Sequence, residues 1–182
     1  MEWDHKEEPF GDEYSQEFRC TLWGTEAWFH ISYYNNGQDC QERLARFAEA
    51  ADRCLGWLNV HQAEIFAAIE ADGLCDAALE TVEEMEMESA YTQVVAEDGV
   101  FYLLMDGGER LSLPYRKDDF FNSLIPGGLS FSADHKSTGF LLDLFLNLEP
   151  DIFAGHSVEI FLDGDFGSDL TNYTVTVNGL VG

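Results

Sequence analysis

The chain has 182 residues, with 35 Asp plus Glu against 9 Lys plus Arg, for a formal net charge of −26. Hydrophobic residues make up 46% and aromatic residues 14%, enough for a sizeable core, so a disordered chain is excluded and one domain is the simplest organisation. A surface this negative repels nucleic acid and anionic membranes and draws basic proteins, which sets aside direct nucleic-acid binding and membrane-surface binding.

Residues 1–16 are polar and acidic, with Pro9 and Gly11, and read as an arm or loop ahead of a single domain over 17–182. The alternation of Phe18, Cys20 and Leu22, then of Phe29, Ile31 and Tyr33, predicts two strands joined by a hairpin turn at Gly24-Thr25-Glu26. Asn35-Asn36-Gly37 ends that hairpin. Asp39 then opens a helix, with Glu42 placed as in a capping box, and Leu44, Phe47, Ala51, Leu55 and Leu58 form one apolar stripe. Arg43, Arg46 and Arg53 lie off the stripe. A second helix is expected over about 60–71, ended by Gly73, and a third over about 76–87, where Leu79, Val82 and Met85 recur every third residue and Met87 falls off the stripe.

Beyond that point the pattern changes to strands over 91–96, 100–105 and 109–113, with turns at Glu97-Asp98-Gly99 and Asp106-Gly107-Gly108. A short helix over 118–124 is broken by Pro126-Gly127-Gly128, and strands follow over 129–133, 138–148, 156–163 and 172–178. The pattern is α+β, a mainly antiparallel sheet of hairpins with a helical block on one face. The opening residues carry neither a basic nor an apolar leader segment, and no apolar run is long enough to cross a bilayer. Cys20, Cys40, Cys54 and Cys75 form no C-x-x-C pair and read as reduced, buried small residues of a cytoplasmic protein.

No nucleophile elbow, phosphate loop or dinucleotide fingerprint occurs, so the expectation is a non-enzymatic protein without cofactor. The five histidines have no ligand-pair spacing, and no metal is expected. Asp163-Gly164-Asp165 with Asp169 has oxygen ligands for a hard cation but lacks the calcium-loop spacing, and reads as a solvated hairpin loop. The main candidate for function is the run Glu80, Glu83, Glu84, Glu86 and Glu88. On a helix, Glu80, Glu84 and Glu88 follow at i, i+4 with Glu83 beside them, and each like-charge pair costs the helix about 0.2–0.5 kcal/mol. The bland reading is a solvated face; the functional one is a surface that a cationic partner neutralises.

Asp119-Phe120-Phe121, Leu129-Ser130-Phe131 and Asp151-Ile152-Phe153-Ala154-Gly155-His156 are followed by a closing hydrophobic strand and Gly182. This set resembles an uncharacterised bacterial family, domain of unknown function 2262, with Phe153, Gly155 and His156 matching its F-x-G-H motif. The resemblance implies a bacterial or phage cytosolic protein of α+β fold, similar to immunity proteins that neutralise toxins, and it assigns no catalytic residue; against the family's pattern the span 76–113 is longer and more acidic, and reads as an acidic insertion. The leading expectation is an acidic inhibitor of immunity type that docks on a basic partner such as a nuclease toxin. It would use Glu80, Glu83, Glu84, Glu86 and Glu88, with Asp163, Asp165 and Asp169 as a second patch. The alternatives are a phage-type DNA mimic acting on a DNA-binding complex, and a metal-dependent enzyme built around His156.

Overall fold

The structure is a computed structural model that describes residues 3–8, 11–35, 41–87, 93–105, 108–134, 139–165 and 174–182. It is α+β. The described strands of the large sheet are β1 (Asp4–Glu8), β2 (Gly11–Leu22), β3 (Thr25–Asn35), β7 (Leu124–Asp134), β8 (Gly139–Leu148), β9 (Ser157–Asp165) and β10 (Thr174–Val181), hydrogen-bonded in that order. All neighbours are antiparallel except β3 and β7, which run parallel. A parallel pair needs a crossover. Here the crossover holds α1 (Gln41–Val60), α2 (Gln62–Asp72), α3 (Leu74–Met87), a small sheet of β4 (Gln93–Glu97), β5 (Val100–Leu104) and β6 (Arg110–Leu113), and α4 (Lys117–Ser123).

Period-two alternation gives the large sheet one dry face. Phe140, Leu142, Leu144, Leu146 and Leu148 of β8 are buried, and Leu142 and Leu144 stand opposite the buried Leu162 and Ile160 of β9. The helices cover this face. Phe47 of α1 meets Tyr33 at 5.3 Å and Phe131 at 4.9 Å between ring centres, and Phe131 continues to Phe140 at 4.8 Å. Each such ring withdrawn from water contributes on the order of 1.5–3 kcal/mol. In α1 the stripe is Leu44, Phe47, Ala50, Ala51, Cys54 and Leu58, with Leu55 half-buried at its margin.

The β2–β3 turn is Trp23-Gly24, one residue earlier than the sequence pattern suggests, with Leu22 paired to Thr25. Both turn residues are left-handed, with φ of 52° and 83°, as a two-residue turn matching strand twist requires. The Trp23 indole N–H donates to the Leu58 carbonyl at 2.8 Å, and Asn59 Oδ1 accepts the Trp23 amide at 3.1 Å, so the hairpin tip is held on the end of α1. Gly73, left-handed at φ 90°, ends α2, its amide donating to the Glu70 carbonyl.

Three expectations are corrected. Part of the segment read as an arm or loop, 1–16, is strand: β1 and the start of β2 pair from Asp4–Ser15 to Glu8–Gly11. Charged edge strands lack apolar alternation, so nothing in D-H-K-E-E signals them. Pro126-Gly127-Gly128 does not precede a strand but lies inside β7, at a bulge where the register to β8 shifts. A Cβ on Gly127 would fall 2.6 Å from Asn147 Nδ2, so a larger residue there would push the Asn147 side chain aside. Asp163-Gly164-Asp165 is not a loop: it is the end of β9, with Asp163 opposite Leu141 and Asp165 opposite Gly139. Asp39 lies outside the described residues, and Glu42 pairs with Arg46 at 2.7 Å.

Candidate functional site

The acidic helix is α3. Leu74, Cys75, Ala78 and Val82 are buried, which fixes its orientation. Burial raises the Cys75 thiol above its usual range, with Asp76 adding to the shift. The stripe leaves Glu80, Glu83, Glu84 and Glu86 exposed. Glu88 lies outside the described residues. Four cations pair with acids on other elements: Arg19 with Glu26, Arg46 with Glu42, Arg110 with Glu97 and Lys117 with Glu70. Among the described residues no ion pair falls on α3. Its carboxylates therefore face solvent as a block of like charge.

The second predicted patch has a different setting. Val158, Ile160 and Leu162 of β9 point into the core, so Asp163 and Asp165 point to the opposite, outer face of the sheet. Asp169 lies outside the described residues. The acid of α3 and the acid of β9 thus sit on opposite sides of the large sheet, and the structure does not bring the two patches together.

It brings Asp163 together with residues that sequence reasoning missed. Asp143 on β8 and Glu159 on β9 share the outer face, where Asp143 lies opposite Phe161, between the positions of Glu159 and Asp163. Burial, and then the charges of Glu159 and Asp163, raise the Asp143 carboxyl to about 6. Its Oδ1 is shielded from water and accepts no hydrogen bond. Glu159 is held by Asn178 Nδ2 at 2.6 Å. The signal in the sequence was a lone Asp in the apolar run F-L-L-D-L-F-L. Among the described residues no three His, Cys, Asp or Glu side chains converge as a metal centre would require.

The F-x-G-H segment is a turn. Asp151 accepts from the Phe153 amide at 3.2 Å and from the Gly155 amide at 2.6 Å. Ala154 and Gly155 are both left-handed, at φ 55° and 93°. The exposed His156 turns Nδ1 to the Phe153 carbonyl at 2.8 Å. These contacts give Gly155 and His156 a part in shaping the turn into β9.

No protein family, curated protein or solved structure matches this chain. What it does must be argued from its own surface. A cleft of about 180 Å³ between β6 and α4, lined by Arg110, Tyr115, Asp119, Asn122, Ser123 and Glu149, is smaller than the roughly 300–1,000 Å³ of small-molecule sites. Several large apolar side chains also stand in solvent: Val94, Val100 and Phe101 of the small sheet and Met87 at the end of α3. None of the described helices is long and apolar enough to cross a membrane.

Proposed function

We propose that this chain is an acidic inhibitor of immunity type, which works in the cytoplasm and docks the α3 face on the basic groove of a partner such as a nuclease toxin. One observation carries the reading: Glu80, Glu83, Glu84 and Glu86 are exposed on one helix, and among the described residues no ion pair neutralises them. Such a face costs the helix free energy in isolation and regains it against a cationic surface. A groove built to hold phosphates has the complementary sign, and carboxylates lying in it exclude substrate directly.

A DNA-mimic reading draws support from the carboxylates on the other side of the sheet, since a mimic spreads acid over a long surface. The two are separated by the range of partners. The test is capture from source lysate on the immobilised protein, washed at low and then high salt, beside the Glu80→Gln/Glu83→Gln/Glu84→Gln/Glu86→Gln variant. A single basic protein, released by salt and lost with the variant, supports the inhibitor. Several unrelated DNA-binding proteins support mimicry, and equal capture by the variant removes α3 from the account.

A further inference from the structure

The two described sheets have four edge strands, and three of them are blunted. β1 is the charged run D-H-K-E-E. β10 carries a bulge between Val177 and Gly179, and α2 packs against it. β6 is four residues long and runs into Pro114. These are the usual devices against unwanted strand pairing. β4, with sequence Q-V-V-A-E, has no Lys, no Pro and no bulge, and among the described residues no strand pairs with its outer edge.

The register says which groups that edge presents. β4 and β5 meet in a two-residue turn, Asp98-Gly99, with φ of 51° and 83° and Glu97 paired to Val100. The pair closing such a turn exchanges both hydrogen bonds, and pairs alternate from there. Glu97, Val95 and Gln93 therefore bond inward to β5, while the N–H and C=O groups of Val94 and Ala96 point outward. The side chains of those same two residues share a face with Phe101 and Leu103, their cross-strand partners. Leu103 on that face is buried in the core, yet Phe101 is 56% and Val94 47% exposed. The apolar face extends past the part that the body of the protein covers.

An open row of backbone donors and acceptors beside an uncovered apolar face fits an extended segment. Charge selects its source. Two copies of a chain at −26 repel each other. At one end of β4 Asp98 is exposed beside Glu97, which Arg110 already pairs, and Met87, at the end of acidic α3, lies six residues before Gln93, within about 20 Å at full extension. We infer that the open edge of β4 takes up an extended, Lys- or Arg-bearing segment of a basic partner as a fourth strand of the small sheet. Its apolar residues would cover Phe101 and Val94. The inference rests on the reading of the partner as basic, and adds the mode of binding.

The test uses the full ¹⁵N-labelled chain with the peptide acetyl-Lys-Val-Lys-Val-Lys-Val-Lys-amide. Its controls are an alternating Lys-Pro peptide of equal charge that cannot form a strand, and an uncharged Thr-Val peptide. The Lys-Val peptide is expected to slow amide exchange at Val94 and Ala96 at least tenfold, and the Lys-Pro peptide to leave it unchanged. Ala96→Pro, which removes an outward N–H where edge strands tolerate proline, should weaken the Lys-Val peptide at least tenfold, and Phe101→Ser should do the same without touching the backbone. Binding without protection at Val94 and Ala96, or equal binding of the Lys-Pro peptide, would overturn strand addition while leaving the acidic docking surface standing. Equal protection by the Thr-Val peptide would overturn the cationic requirement, and with it the basic partner. Protection that grows with protein concentration in the absence of peptide would overturn the inference in favour of a second copy.

Discussion

Asp143 shows how one side chain can weigh on the whole fold. Its carboxyl is half-buried on the outer face of the sheet, and burial and two neighbouring carboxylates raise it from 3.8 to about 6. The folded chain therefore holds a proton that the unfolded chain releases near pH 4. Stability from this group is present below about pH 4 and is lost as pH rises through about 6. The loss is about 1–2 kcal/mol once partial exposure is allowed for. Asp143→Asn should be more stable than the parent at pH 7 by about 1 kcal/mol or more in urea unfolding, and indistinguishable from it near pH 4. An equal difference at both pH values would contradict the titration account. The turn at Asp151 gives a second prediction. Its carboxylate holds two amides in a turn with two left-handed residues, so Asp151→Ala should cost about 1–2 kcal/mol by the same measurement. A neutral effect would mean that the F-x-G-H segment is not held by this residue.

At the scale of elements, α3 works against itself. Glu80–Glu84 at i, i+4, and Glu80–Glu83 and Glu83–Glu86 at i, i+3, are like-charge pairs on an exposed surface. Replacing all four with Gln should raise stability by about 0.5–1.5 kcal/mol in total. A loss of stability would show that the carboxylates have partners within the fold. The helices and hairpins were legible because their residues repeat: the stripe of α1, the stop at Gly73, the alternation of β2 and β3 and the turns at Gly24 and Gly99. Three things were not. A strand made of D-H-K-E-E has no apolar face to announce it. A proline and two glycines read as a stop until the pairing with β8 shows them inside a strand, at a bulge. Asp143 meets Glu159 and Asp163 only when β8 and β9 pair, and local periodicity carries no information about that pairing.

Across the whole molecule, charge is the dominant fact. At −26 the folded chain repels itself, and added salt should stabilise it until that repulsion is screened. Thermal midpoints are expected to rise between about 0.01 M and 0.15 M NaCl, as the Debye length falls from about 30 to 8 Å. A flat or falling midpoint would mean that the acid is spread too widely to matter. The parallel pairing of β3 with β7 could not be read from the sequence, because its two strands are separated by the entire crossover. The two acidic patches were legible as composition, and their placement on opposite sides of the sheet was not. The central claim is that the α3 face steers and docks a basic protein. Its most direct test is the association rate of the captured basic partner, measured against ionic strength for the parent and for the four-Gln α3 variant. The account predicts at least a tenfold slower association for the variant at low salt, a shallower salt dependence and little change in dissociation. Equal association rates with equal salt dependence would contradict it.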